Sequence, residues 1–193
     1  MIVLGINAYH GDASACIFKD NELVAAIEEE RLNRVKHSAG LPINSIKFCL
    51  KQLDISLSQV NHIAINRNPR NRILSKVIYS FRKLAKFKFI KDRISNLKRI
   101  NSLKDQLEKQ INDRVTGKIN FIDHHDSHIA SSVYFSGFKN CDFTSVDGFG
   151  DFASSAWGYG INSNLSIDEK IYFPDSLGIF YTAITQFLGF PNY

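Results

Sequence analysis

The sequence predicts an α/β fold in which strands alternate with helices after an opening meander of three strands. Two observations support this prediction. Short apolar runs end at turn residues, as strands do, and segments whose apolar residues recur at helical spacing separate these runs. The 193 residues are 44% hydrophobic and 22% charged, with 11 glycines and 4 prolines. This composition favours a globular protein and excludes a disordered, collagen-like or disulfide-rich chain.

Three apolar runs predict the opening meander. They cover residues 2–8, 13–18 and 23–27, with turn residues between them. The next segment predicts a helix, because Pro42 precedes apolar residues spaced three and four apart. These residues are Ile43, Ile46, Leu50 and Leu53. Residues 60–65 then predict a fourth strand.

Residues 67–118 form a strongly basic segment. They contain 16 of the 24 Lys and Arg residues but only 4 of the 19 acidic residues, so the segment carries +12 and the rest of the chain −7. Residues 70–116 contain neither Gly nor Pro, and apolar residues recur at helical intervals from Ile94 to Ile111. The pattern predicts a helical excursion with a solvated basic face. Alternatively, the basic segment attracts an anionic substrate, nucleic acid or an acidic membrane surface. Its sequence does not alternate basic residues with aromatic residues in the way that would favour nucleic acid.

The alternation resumes after the basic segment. Strands are expected at residues 118–122, 141–146, 153–159 and 167–173, and helices at residues 124–135 and 176–189. The motif DGFGD at residues 147–151 is expected to form the turn of a hairpin. Because this hairpin repeats the design of the opening strands, the sequence predicts two related lobes, one at residues 1–140 and a second beginning at residue 141.

Two glycine-containing turns occupy equivalent places in the two hairpins. Gly11 and Asp12 follow the first strand, and Gly148, Gly150 and Asp151 lie between the later strands. Glycine allows a phosphate to approach the backbone closely, and main-chain N–H groups can cradle it. Gly-Asp is also ordinary turn chemistry. The pair therefore indicates either two plain hairpins or a nucleotide-binding cleft between two lobes.

The motif HHDSH at residues 124–128 carries the clearest chemical signal. On a helix, His124 and His128 are four residues apart and project from one face. Asp147, at the end of the next expected strand, could add a carboxylate. Nitrogen and oxygen ligands without a thiolate favour Fe(II), Mn(II) or Zn(II). The alternative is a polar helix cap with two hydrogen-bonded histidines.

Targeting signals and cysteine usage point to the cytoplasm. The N-terminal residues lack the basic and apolar regions of a signal peptide, and no stretch approaches the roughly 18 apolar residues of a membrane-spanning helix. The three cysteines are odd in number and far apart in the sequence, which is typical of reduced core residues. The sequence therefore predicts a cytoplasmic protein without a membrane span.

Five ordered blocks resemble the N-terminal part of the carbamoyltransferase family, the O-carbamoyltransferases that modify nodulation factors and antibiotics. The blocks are LGINAYHGDASACIF, EEERLNRVKHSAGLP, HHDSHIASSVYFSGF, SVDGFGDFASSAWG and FPDSLGIFYTAITQFLGF. Similarity covers residues 1–66 and 119–193. The resemblance implies a two-lobed ATPase fold of the actin and sugar-kinase (ribonuclease H-like) type, of which this chain would contain the first lobe and the start of the second.

The resemblance also implies a reaction. Family members are expected to make carbamoyl adenylate from carbamoyl phosphate and ATP in a C-terminal domain, and to transfer the carbamoyl group to the hydroxyl of a small-molecule acceptor in the first domain. His124, His128 and Asp147 match the family's metal ligands, with iron or another divalent ion expected. His10 and Lys36 match positions that contact the carbamoyl intermediate. Chemically, His10 could act as a general base and Lys36 could stabilise developing negative charge.

The same resemblance assigns the glycine-containing turns to phosphate loops, with Gly11 and Asp12 in the first, and Gly148, Gly150 and Asp151 in the second. Two other functions stay open at this point. A relative that transfers threonylcarbamoyl to tRNA would use the basic segment for RNA, and an inactive fragment would bind nucleotide or metal without catalysing transfer.

The chain alone is expected to be an incomplete and inactive carbamoyltransferase. An α/β lobe needs further strands and helices to cover both faces of its sheet, and the adenylating domain would lie in a C-terminal portion. The last expected helix carries an apolar stripe that such a portion, or another chain, would have to cover. Its residues are Leu177, Phe180, Ile184 and Leu188.

Overall fold

A computed structural model describes residues 1–9, 11–68 and 102–190 of the chain. These residues form two compact units, one made of residues 1–68 and 102–122 and the other of residues 123–190. The first unit contains a five-stranded sheet and the second a three-stranded sheet. The α/β class that the sequence predicts is therefore confirmed. The predicted division into lobes at residue 140 stays a prediction.

The first unit is built on a mixed sheet. Its strands are β1 (Ile2–Asn7), β2 (Ser14–Lys19), β3 (Glu22–Glu28), β4 (His62–Ile65) and β5 (Lys118–Phe121). They are ordered β3-β2-β1-β4-β5 across the sheet. The first three strands are antiparallel neighbours, whereas β4 runs parallel to both β1 and β5. The opening meander of three strands that the sequence predicts is therefore confirmed.

Helices cover the core of the first unit. Among the described residues they are α1 (Glu29–Asn33), α2 (Ile43–Gln52), a 3₁₀ turn at Leu57–Gln59 and α3 (Leu103–Ile111). Ile46 and Leu50 of α2 and Leu107 of α3 are buried in one apolar cluster with residues of β1, β2 and β4. The prediction of a helical excursion is confirmed over Leu103–Ile111. Its remainder at residues 69–101, including Ile94, lies outside the described residues.

The second unit begins with a helix and continues as a meander. α4 (His124–Ser136) precedes β6 (Asn140–Gly150), β7 (Ala153–Ile161) and β8 (Asn164–Tyr172), and α5 (Leu177–Phe187) follows. The three strands are antiparallel in the order β6-β7-β8. Ile129 and Val133 of α4 pack against Ala156 and against Cys141 and Phe143 of β6. The expected elements all lie within a few residues of the observed ones.

The hairpin turn between β6 and β7 is shorter than the sequence predicts. The prediction of a turn at residues 147–151 is wrong, because β6 continues to Gly150, which pairs with Ala153. Only Asp151 and Phe152 connect the strands, with φ angles of 50° and 76°. Two residues in the left-handed region are the signature of a type I′ turn. Gly148 and Gly150 therefore lie in a strand, so the geometry of the hairpin turn does not explain either glycine.

α5 is an apolar helix whose side chains stay exposed. The Ser176 hydroxyl caps its first turn by accepting a hydrogen bond from the Ile179 N–H at 3.1 Å. The helix contacts β6 and β7, yet none of its residues is buried among the described residues, and Phe187 is 85% exposed. The expected apolar stripe is thus present and uncovered. None of the helices that the structure describes has the length and apolar character needed to cross a membrane.

Candidate functional site

The HHDSH motif forms the first turn of α4, as the sequence predicts. Asp123 precedes the helix in an extended conformation, and the His124 N–H donates a hydrogen bond to Asp151 Oδ2 at 3.1 Å. The carboxylate of the β6–β7 turn thereby satisfies one of the N–H groups that a helix leaves open at its start. His124 and His128 lie one turn apart on the same face.

Three donor atoms meet beside this first turn. His124 Nε2 lies 2.8 Å from Asp147 Oδ2 and 3.0 Å from His128 Nε2, and His128 Nε2 lies 3.9 Å from Asp147 Oδ2. The His124 side chain is 15% exposed, whereas that of His128 is 54% exposed. The structure thus brings together the three residues that the sequence proposed as metal ligands, with solvent reaching the cluster from the His128 side.

The spacing of these atoms fits a divalent ion. A triangle with sides of 2.8, 3.0 and 3.9 Å has a point about 2.0 Å from each corner, and metal bonds to histidine nitrogen and carboxylate oxygen measure about 2.0–2.2 Å. His124 Nε2 faces both Asp147 Oδ2 and His128 Nε2, and one ring nitrogen cannot donate to the carboxylate and accept from the second imidazole at once, whereas a cation binds all three atoms. Geometry and donor chemistry both suit a metal.

Asp147 is held in its charged form. Burial alone would raise the pKa of the Asp147 carboxyl, but hydrogen bonds from His124 and from the Gly148 N–H, together with the two histidines' charges, outweigh burial and lower this pKa. The Gly148 N–H donates to Asp147 Oδ1 at 2.6 Å, so Oδ2 is the oxygen that faces the histidines. A carboxylate oriented in this way is ready to bind a cation at neutral pH.

Gly150 provides the space that the His124 ring occupies. A Cβ atom at residue 150 would overlap Cδ2 and Cγ of that ring. A Cβ at residue 148 would instead meet Ile179 Cδ1 at 3.7 Å, an ordinary contact. Packing against His124 therefore requires the glycine at 150, whereas the resemblance assigned it to a phosphate loop. The phosphate-binding role of Gly148, Gly150 and Asp151 stays a prediction.

Lys170 of β8 binds two carboxylates at the start of α4. The sequence did not predict these ion pairs. Its Nζ lies 2.6 Å from Asp126 Oδ1 and 3.3 Å from Asp123 Oδ2. Burial alone would lower the pKa of Lys170, but the pairs with Asp126 and Asp123 raise it. The lysine is far from the motif in sequence, so no spacing rule could have found it.

The other predicted site residues belong to the first unit. Gly11 and Asp12 lie in the connection between β1 and β2, and Lys36 lies in the loop between α1 and α2. His10 lies outside the described residues. The His37 ring, next to Lys36, approaches Asp12, with Nδ1 2.9 Å from Asp12 Oδ1. No sequence pattern gave His37 a partner.

Backbone hydrogen bonds join these two loops. The Tyr9 N–H donates to the Gly40 carbonyl at 2.9 Å, and the Ala13 N–H donates to the Ser38 carbonyl at 3.0 Å. The loop that carries Lys36 is therefore fixed along the connection that contains Gly11 and Asp12. The structure thus brings three of the predicted residues of the first unit into one neighbourhood.

Solved structures with partial similarity include YeaZ from Pseudomonas aeruginosa and a ROK hexokinase from Thermus thermophilus. YeaZ is 10% identical, with a TM-score of 0.45, and the match covers 87% of this chain and 64% of YeaZ. The hexokinase is 10% identical, with a TM-score of 0.43, over 88% of this chain and 49% of the hexokinase. Similarity at this level supports no inference about the function of this chain.

Proteins related by sequence have a higher identity to this chain than these solved structures have. An uncharacterised protein of Synechocystis sp. is 34% identical over 97% of this chain and 32% of its own length. The nodulation protein NolNO of Sinorhizobium fredii is 32% identical over 95% of this chain and 26% of its own length. The chain spans at most about a third of the length of these relatives. A family model described as carbamoyltransferase N-terminus matches residues 2–193, and the chain therefore belongs to the carbamoyltransferase N-terminus family.

Proposed function

We propose that this chain is the N-terminal portion of an O-carbamoyltransferase, which transfers a carbamoyl group from carbamoyl adenylate to the hydroxyl group of a small-molecule acceptor. Membership of the family supports the reaction class. The observation that supports the site most directly is the convergence of His124, His128 and Asp147 on a point at metal-bonding distance. Carbamoyl phosphate and ATP would supply the adenylate in a C-terminal adenylating domain.

The proposed metal is a divalent ion held by His124, His128 and Asp147. Two imidazoles and one carboxylate with open positions are the ligand set of many Fe(II) sites, so Fe(II) is the favoured ion and Mn(II) or Zn(II) are alternatives. Such an ion would act as a Lewis acid that neutralises charge on phosphate oxygens. The chain itself contributes an ionised Asp147 and a His124 ring held in place by Gly150.

The first unit would contribute the groups that act on the acceptor. His10 is proposed as the general base for the acceptor hydroxyl, and Lys36 as the cation that stabilises developing negative charge. The backbone bonds between the two loops support a role for Lys36 near Gly11 and Asp12, because they fix the Lys36 loop along the connection that contains these two residues. Gly11 and Asp12 are proposed to approach nucleotide phosphates there, although Asp12 also faces His37.

Threonylcarbamoyl transfer to tRNA is the second candidate, favoured by the charge of residues 67–118. A net charge of +12 on one segment suits a polyanion. RNA affinity that falls steeply and linearly with the logarithm of salt concentration would support this candidate, since phosphate contacts release counterions. RNA binding that is absent at low salt would exclude it.

The metal site makes a direct prediction. His128→Ala is expected to lower the affinity for a divalent ion by about 100-fold or more, because one of three ligands is removed while His124 and Asp147 stay in contact, and loss of residues that only orient ligands already costs about 10- to 100-fold. The measurement is titration of metal-free protein with Zn²⁺, together with elemental analysis of protein purified without chelator. His62→Ala is the control, since His62 lies in β4 of the first unit. Equal metal content in the wild type and His128→Ala would count against the site.

The division of roles between domains makes a second prediction. In a protein that joins this chain to an adenylating domain, His10→Ala is expected to slow carbamoyl transfer by about 100-fold, a common contribution of a general base. Formation of the adenylate should stay unchanged, because it takes place in the other domain. Release of pyrophosphate and appearance of carbamoylated product are assayed separately. A folded variant that loses both activities together would contradict this division.

A further inference from the structure

α4 packs on β6 through a buried stripe that ends in a polar pair. His125, Ile129 and Val133 are spaced four residues apart on the buried face of α4. Ile129 and Val133 pack on apolar side chains of β6, namely Cys141 and Phe143. Two residues further along the same face of β6, Ser145 Oγ lies 2.9 Å from His125 Nδ1. The stripe is therefore apolar except at its end beside the proposed metal ligands.

Packing alone does not account for a histidine at this end of the stripe. His125 is only 1% exposed, and its Nε2 has no hydrogen-bond partner among the residues that the structure describes. Burial lowers the pKa of the His125 ring, and the Ala153 backbone, which acts in the opposite direction, does not meet hydrogen-bond geometry with Nε2. A buried polar atom without a partner is destabilising, whereas replacing both partners of a buried hydrogen bond by apolar groups of similar shape can be neutral. An apolar pair would therefore serve the core at least as well.

The polar pair lies next to the residues that form the donor triangle. The His125 ring meets the His124 ring edge-on at 5.6 Å between centroids, and its centroid is 6.4 Å from that of His128. Ser145 shares a face of β6 with Asp147, two residues away. The hydrogen bond between His125 and Ser145 thus joins the helix that carries two donor atoms to the strand that carries the third.

We propose that His125 and Ser145 are positioning residues for the metal site. Their hydrogen bond sets the rotation of α4 on β6, and this rotation places His124 Nε2 against Asp147 Oδ2 at 2.8 Å. Apolar side chains tolerate small rotations of a helix, whereas a buried hydrogen bond permits a narrow range of distance and angle. The inference rests on the proposed metal site and extends it to the layer beneath the three ligands.

The test separates metal affinity from stability in the 193-residue chain. Zn²⁺ affinity, the visible absorption spectrum of bound Co²⁺ and the thermal midpoint are measured for the wild type and the double variant His125→Leu/Ser145→Ala. We expect an unchanged or higher midpoint, a 10- to 100-fold loss of Zn²⁺ affinity and an altered Co²⁺ spectrum, as for other residues that orient metal ligands. Ser145→Ala alone should weaken Zn²⁺ binding with an unchanged circular dichroism spectrum, which covers the case in which the double variant does not fold.

Two further variants sharpen the test. His125→Asn places an amide near the position of Nδ1, so it should retain Zn²⁺ affinity within a few fold and keep the wild-type Co²⁺ spectrum. Thr144→Val changes the neighbouring residue on the opposite face of β6 and should have no effect on either.

Each outcome decides the proposal. If the wild type binds Zn²⁺ and the variants at 125 and 145 bind it equally well with the same Co²⁺ spectrum, the positioning role is wrong while the metal site stands. If the variants at 125 and 145 lose Zn²⁺ affinity only when their thermal midpoint also falls, the pair is structural and the proposal is overturned. The proposal is also overturned if His125→Asn binds Zn²⁺ as weakly as the double variant. A wild type that binds no Zn²⁺ overturns the metal site and this inference together.

Discussion

Gly150→Ala is expected to lower the affinity of the protein for a divalent ion by about 100-fold or more, beyond the usual effect of residues that only orient ligands. The added methyl group would overlap the His124 ring at Cδ2 and Cγ. Either the ring rotates away or β6 shifts, and both movements take Nε2 out of the donor triangle. His124 is the ligand nearest to both of the others, at 2.8 Å from Asp147 and 3.0 Å from His128, so its displacement disrupts two sides of the triangle at once.

The matched control is Gly148→Ala in the same strand. Its Cβ would meet Ile179 Cδ1 at 3.7 Å, a normal van der Waals distance, so metal affinity should stay close to that of the wild type. Titration with Zn²⁺ and thermal unfolding are measured on both variants. Overpacking at residue 150 should also lower the free energy of unfolding by about 1–3 kcal/mol. If the two alanine variants bind metal equally well, the steric explanation of Gly150 is wrong.

Local periodicity explains how much of the fold could be predicted. Strand and helix patterns depend on residues two, three or four apart, so the opening meander, α2 and α4 were all predictable from short windows of sequence. α1 was not, because its five residues are too few to show a period. The end of β6 was mispredicted because glycine and aspartate favour turns in isolation. In the fold, Gly150 instead serves a contact with His124.

The candidate site also contains contacts that could be predicted from local spacing and contacts that could not. His124 and His128 could be paired from their spacing, since helix geometry alone places them on one face. The contacts of Lys170 with Asp123 and Asp126 could not, because they join segments far apart in the chain. For His125 a signal was available in its spacing of four and eight residues from Ile129 and Val133, which marks the buried face of α4.

The carboxylate of Glu29 supports the loop of the other proposed site residues. It is 6% exposed and accepts hydrogen bonds from the start of α2. Its donors are the Asn44 N–H at 3.2 Å, Asn44 Nδ2 at 2.6 Å, the Ser45 N–H at 2.8 Å and Ser45 Oγ at 2.8 Å. The residue at the helix N-cap is Pro42, which offers no side-chain hydrogen bond. Glu29 therefore caps α2 from α1 and closes the connecting loop that carries Lys36.

Glu29→Ala is accordingly expected to lower the free energy of unfolding by about 2–4 kcal/mol, because it leaves two N–H groups and a buried hydroxyl without their charged acceptor, and a buried donor left unpaired costs about 1–3 kcal/mol. Urea denaturation measures the loss. Glu28→Ala is the matched control: its half-exposed carboxylate pairs only loosely with Arg31 at 3.5 Å, and such surface pairs contribute about 1 kcal/mol or less. Since the cap also holds the loop ends together, Glu29→Ala should increase proteolytic cleavage near Lys36 in the folded protein. Equal losses of stability for the two variants would show that the buried carboxylate does not cap α2.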